Sequence, residues 1–189
     1  MHLTRCQWAQ SAEALERALD YAEQAGGEAE VASCQVMLAS ALYYGPTPVP
    51  EARQRCDEIL SRAAGHPIVE GNILCYLGGL AAMEGLFDEA RGLHRRGRRI
   101  FEDLGHTVGV AGSTTVSGPI ELLAGDPVAA ERDLRAGYET FEAMGETGIL
   151  STLAALLAEA VLAQGRDAEA EELTRTSEEN STEEDAASQ

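Results

Sequence analysis

Histidine and cysteine are the residues of this chain best suited to metal binding, proton transfer or nucleophilic attack. There are four of each among 189 residues. His2, His66, His94 and His106 stand apart, with no two histidines at ligand spacing such as i, i+4. Histidines at helix ends, such as His66 and His106, serve as solvated or capping residues. Cys6, Cys34, Cys56 and Cys75 form no C-x-x-C pair, and each falls in an apolar helical context where a cysteine behaves as a small buried hydrophobe. Such thiols fit a reducing, cytoplasmic location. There is no Gly-x-Ser-x-Gly elbow, no His-Glu-x-x-His and no phosphate-binding Gly-x-x-x-x-Gly-Lys-Ser/Thr; the chain contains no lysine at all. The glutamates are spread along outer helix faces. No catalytic residue, metal or cofactor is expected, and the chain is read as a non-enzyme.

Charge narrows the partners. The formal net charge of −18 argues against nucleic acid and repels anionic lipid surfaces. One feature runs against it: Arg91, Arg95, Arg96, Arg98 and Arg99, with His94, cluster on one outer helix in a chain of only 14 basic residues. They form either a solvated face paired with acids such as Glu89 and Glu131, or a docking patch for an acidic segment. Between Asp167 and Asp185 nine acids face one arginine, Arg175. Residues 178–189 contain no leucine, isoleucine, valine or aromatic, so a disordered acidic tail is expected there after a repeat domain over 1–177. Met1 to Gln10 has no signal-peptide core. The apolar run from Ile149 to Ala163 contains Glu159 and is too short to span a bilayer, so no membrane association is expected.

The elements that hold these residues follow from a repeat. Gly85, Gly125 and Gly165 are 40 apart, with Gly45 in phase; Gly65, Gly105 and Gly145 form a second series offset by half a period. Ala90, Ala130 and Ala170 coincide at the same period, as do Phe101 and Phe141. Glycine at such points closes helix C-termini. Alanine, leucine, glutamate and arginine dominate and strand-forming runs are nearly absent, so the class is all-α. Helices of a first type are predicted at 28–44, 68–84, 108–124 and 148–164, and of a second type at 10–25, 50–64, 88–104, 128–144 and 168–178. Together they make roughly nine helices in an antiparallel helical-hairpin solenoid. The 148–164 segment is apolar all round; Ala130, Leu134, Tyr138 and Phe141 form a single stripe on an outer helix. Asp88 and Asp126 are suited to N-caps and Pro127 to a first turn. Pro119, among Gly109, Gly112, Thr114, Thr115 and Gly118, should kink or interrupt its helix, either as a tolerated irregularity near a helix end or as an opened wall of the groove that could hold an effector. The loop Gly45-Pro46-Thr47-Pro48-Val49-Pro50 is longer than its counterparts.

The spacing Gly78, Gly85, Ala90, repeated as Gly118, Gly125, Ala130 and as Ala158, Gly165, Ala170, resembles a tetratricopeptide-repeat array, although the period is 40 and Leu74, Ala81 and His94 stand where that family has aromatics. Segments 45–52, 85–91, 121–127 and 157–166 resemble the C-terminal repeats of actinobacterial-type regulators that join an adenylate/guanylate cyclase domain to an AAA-type ATPase domain. The resemblance implies a regulatory module of a signalling or transcriptional regulator. Its partner would be a protein, as a helix, a peptide segment or other domains of the same regulator, and a weak homodimer is compatible with it. Carried over by position, the partner-binding residues are Gln35, Leu42, Tyr43, Asn72, Cys75, Met83, Thr115, Leu122, Thr152 and Glu159. The alternatives are a small-molecule sensor and a truncated fragment without independent function.

Overall fold

A computed structural model describes residues 8–63 and 65–187, with side chains described for 10–63 and 65–181. His2 and Cys6, which stand four apart, lie outside the described residues. The described chain is all-helical: α1 (Trp8–Ala25), α2 (Glu28–Tyr44), α3 (Val49–Arg62), α4 (Pro67–Met83), α5 (Phe87–Asp103), α6 (Thr107–Gly112), α7 (Thr114–Leu123), α8 (Pro127–Met144), α9 (Leu150–Leu162) and α10 (Asp167–Ala187). It divides into two compact units inside α5, between Ile100 and Phe101, where the sequence had pointed to one domain over 1–177.

The glycine series closes the helices. Gly85, Gly125 and Gly165 have φ of 77°, 78° and 76°, and Gly65, Gly105 and Gly145 of 95°, 64° and 67°. After several of them the next amide reaches back across the turn, as Leu86 N–H does to Ala81 O, His106 to Phe101, Asp126 to Glu121 and Glu146 to Phe141. Gly45 departs from its series, with φ −89° and ψ −178°, because a residue preceding proline is driven into extended backbone. Asp126 caps α8 by accepting from Ala129 N–H at 3.0 Å. Asp88 does not cap, since α5 begins at Phe87; it sits in the first turn, where the helix dipole favours a carboxylate. His106 caps α6 instead, its Nδ1 accepting from Gly109 N–H at 2.9 Å.

In the first unit α1 pairs with α2 and α3 with α4, while α2 packs on both α3 and α4. The first-type helix α4 buries Val69, Ile73, Leu74, Leu77 and Leu80 around its circumference; the second-type α3 buries only the stripe Ala52, Cys56 and Ile59. Where α5 crosses α4, side chains are excluded. A Cβ on Gly97 would stand 2.5 Å from Gly71 O and 2.8 Å from Cys75 Sγ, and one on Gly78 would stand 2.8 Å from Ala90 O. His94 lies buried at this crossing, and so is not part of the exposed basic cluster with which it was grouped.

The second unit repeats the arrangement one period later. Both α6 and α7 pack on α8, α9 packs on α7 and α8, and α10 packs on α9. The stripe of α8 is Ala130, Leu134, Gly137 and Phe141, with Gly137 taking the place predicted for Tyr138, which is half-buried beside it. A Cβ on Gly137 would meet Ala111 O at 2.9 Å and the Thr114 side chain closer still.

Two expectations fail here for physical reasons. The 108–124 helix is divided at Ser113, while Pro119 lies inside α7. Hydroxyls take over at the break: Ser113 Oγ donates to Val110 O at 2.7 Å, Thr114 Oγ1 to Ala111 O at 2.7 Å and Thr115 Oγ1 to Gly112 O at 2.9 Å. Thr114, Thr115, Val116 and Ser117 are buried, so the segment is packed. The acidic stretch from Glu178, expected as a disordered tail, continues α10 to Ala187. Glutamate is a good helix former, and Asn180 Nδ2 and Ser181 Oγ donate back to Thr176 O at 3.0 Å and Ser177 O at 2.8 Å.

Two glycines of one helix should respond oppositely to a methyl. Gly97→Ala should cost about 1–3 kcal/mol through overpacking. Gly92→Ala, with nothing within 4 Å of the new Cβ, should gain about 0.8–1 kcal/mol from helix propensity. Urea denaturation of the two variants measures both, and equal shifts of one sign would refute the crossing.

Candidate interaction surface

The residues carried over as partner contacts divide sharply by burial. In the first unit Gln35, Leu42, Tyr43 and Cys75 are core. The Tyr43 ring lies 4.6 Å from that of Tyr44 and 5.5 Å from that of Tyr76, and burial pushes its phenol upward. Burial pushes the Cys75 thiol up to about 12. Asn72 is half-buried and donates to Ile68 O at 2.8 Å, whereas Met83 is exposed. In the second unit Thr115 is buried and hydrogen-bonded, Leu122 is half-buried against the α8–α9 core, and Thr152 and Glu159 are exposed on α9. The buried five present no surface to a partner. Of the ten, Met83, Thr152 and Glu159 alone are exposed.

The exposed face of α5 is different. Arg95, Arg96 and Arg99 are exposed and make no ion pair among the described residues. Arg91, Arg95 and Arg99 follow one another at i, i+4, an arrangement that costs an isolated helix about 0.2–0.5 kcal/mol per like-charged pair. Gly92 lies beside this row with open space where its side chain would be. The acids expected to neutralise the cluster are engaged by other arginines. Glu89 pairs with Arg53 of α3, which also holds Glu84. Glu131 accepts from Arg135 at 2.8 Å, Arg166 at 2.7 Å and Gln164 at 2.7 Å. Neither a family model nor a curated protein matches the chain.

Two further features surround these surfaces. In the first unit a cleft of about 580 Å³ is lined by Ala18, Tyr21, Ala22, Ala25, Gly27, Glu30 and Cys34. The carbonyl of Ala22 closes the end of α1 by accepting from Gly27 N–H, as those of Phe101 and Phe141 do for α5 and α8. In the second unit the Glu131 group clamps α8 to the start of α10, where Glu169 accepts from Arg166 Nε at 3.0 Å and also pairs with Arg135. No group of three or more His, Cys, Asp or Glu side chains suited to a metal ion occurs among the described residues, and none of their helices is long and apolar enough to cross a membrane.

Burial disfavours the charged form of Glu131, but donors from Arg166, Gln164 and Arg135 outweigh it and lower the carboxyl from 4.5 to about 2. A value lowered by folding stabilises the folded state fully above the unfolded value, and that stabilisation is lost as pH falls toward 2. Glu131→Gln should therefore destabilise the chain by about 1–2 kcal/mol at neutral pH, and the difference from wild type should shrink between pH 4.5 and 2. Thermal melts across that range measure it; a difference independent of pH would show that the charge is not responsible.

Proposed function

We propose that this chain is a protein-interaction module that engages an acidic segment of its partner through the exposed face of α5. The observation that carries the reading is the row Arg95, Arg96 and Arg99, exposed and without ion pairs among the described residues in a chain of net charge −18. The row opposes local helix stability, and Glu89 and Glu131 serve other arginines. Binding to an acidic partner gives these charges a use that folding does not. Rim charges of this kind act mainly on association rate and partner choice. The resemblance to the C-terminal repeats of cyclase–ATPase regulators supports reading the module as part of a signalling or transcriptional regulator. The absence of catalytic motifs in the sequence supports binding over turnover.

Charge reversal tests the reading. R95E/R96E/R99E should melt close to the wild-type temperature, because the new opposite-charge pair between Arg91 and position 95 at i, i+4 is offset by the like-charged pair at positions 95 and 99. It should lose at least ten-fold in affinity for any partner captured by the wild-type chain, with the largest loss at low ionic strength. Equal capture by both proteins would overturn the assignment of the site.

A further inference from the structure

We infer that the acidic segment that fits the α5 face is the exposed acidic face of α10 in a second copy of this chain. This rests on the reading above and names the partner. From Glu171 to Asp185 the sequence carries seven acids (Glu171, Glu172, Glu178, Glu179, Glu183, Glu184 and Asp185) against Arg175 alone. Glu171, Glu172 and Glu179 are exposed. The opposite side of the helix is fixed to α9, where Ser177 Oγ donates to Ser151 O at 2.7 Å and Leu173 packs against the core. Those three acids and Glu178 are thereby turned to solvent.

The spacing matches. Glu171 and Glu178, like Glu172 and Glu179, are seven residues apart, which on a helix is two turns or about 10.5 Å. On α5 the exposed Arg95, Arg96 and Arg99 lie within four residues of one another, so the two acidic pairs laid along them flank the arginines from either side. Two copies of net charge −18 repel at long range, but at physiological salt a charge is screened beyond about 8 Å, so the facing side chains decide. Each copy carries one basic and one acidic half of the interface. The contact is therefore heterologous, and it extends into larger assemblies unless the rotation closes a ring.

Sedimentation velocity of the full chain in 0.15 M salt should show a weight-average coefficient that rises with concentration and returns to the monomer value in 1 M salt. R95E/R96E/R99E and E171Q/E172Q/E178Q/E179Q should each remain monomeric alone. Mixed together they should form a dimer and nothing larger, since one retains only the acidic half and the other only the basic half. A monomer at every concentration in 0.15 M salt, or wild-type association by the arginine variant, would overturn the inference. A polyglutamate peptide separates this failure from that of the function: binding to a monomeric wild-type chain but not to R95E/R96E/R99E leaves the α5 face standing without self-recognition. Loss of both peptide binding and association removes both.

Discussion

A backbone carbonyl of one helix lying where another helix would carry a methyl is the constraint around which both units are built. Gly97 faces Gly71 O, and Gly137, one period later, faces Ala111 O. At such distances no side chain can be interposed, so second-type helices approach first-type helices backbone to backbone. That proximity lets an outer helix with a narrow apolar stripe be held firmly. In α3, which carries no such glycine, three small or medium residues, Ala52, Cys56 and Ile59, form the buried stripe, and the remainder of the surface is free to carry charge. Gly97 and Gly137 themselves stand one 40-residue period apart.

Charges then divide into two populations. Arg53, Arg135 and Arg166 act as cross-helix staples, reaching acids that lie more than thirty residues away in sequence. Arg95, Arg96 and Arg99 staple nothing among the described residues. Exposed pairs contribute little to stability individually, about 0–1 kcal/mol, but Glu131 gathers three donors at once and is thereby held as a carboxylate far below its usual range.

How much was legible depended on how local the signal was. Helix ends were readable to within a few residues, because Gly85, Gly125 and Gly165 mark a backbone conformation that the sequence states directly. The break at Ser113 was misplaced onto Pro119, since a proline announces itself while three hydroxyls bonding to their own preceding turn do not. The groove residues were the least legible. Leu42, Tyr43 and Cys75 occupy positions that a family pattern assigns to a surface, yet all three are buried. The arginine row was visible in sequence; that Glu89 and Glu131 serve other arginines was not, because those pairings depend on tertiary contacts.

The buried thiols give the first unit a chemical clock. Cys56 and Cys75 are enclosed by helices, and burial raises both to about 12. Only a thiolate reacts readily with disulfide or alkylating reagents, and a closed unit offers almost none. Each modification event therefore records an occasion on which α3 or α4 came away from its neighbours. Cys75, beneath Gly97, responds to the separation of the very crossing that sets the repeat, so its labelling rate would report how long the two backbones stay together.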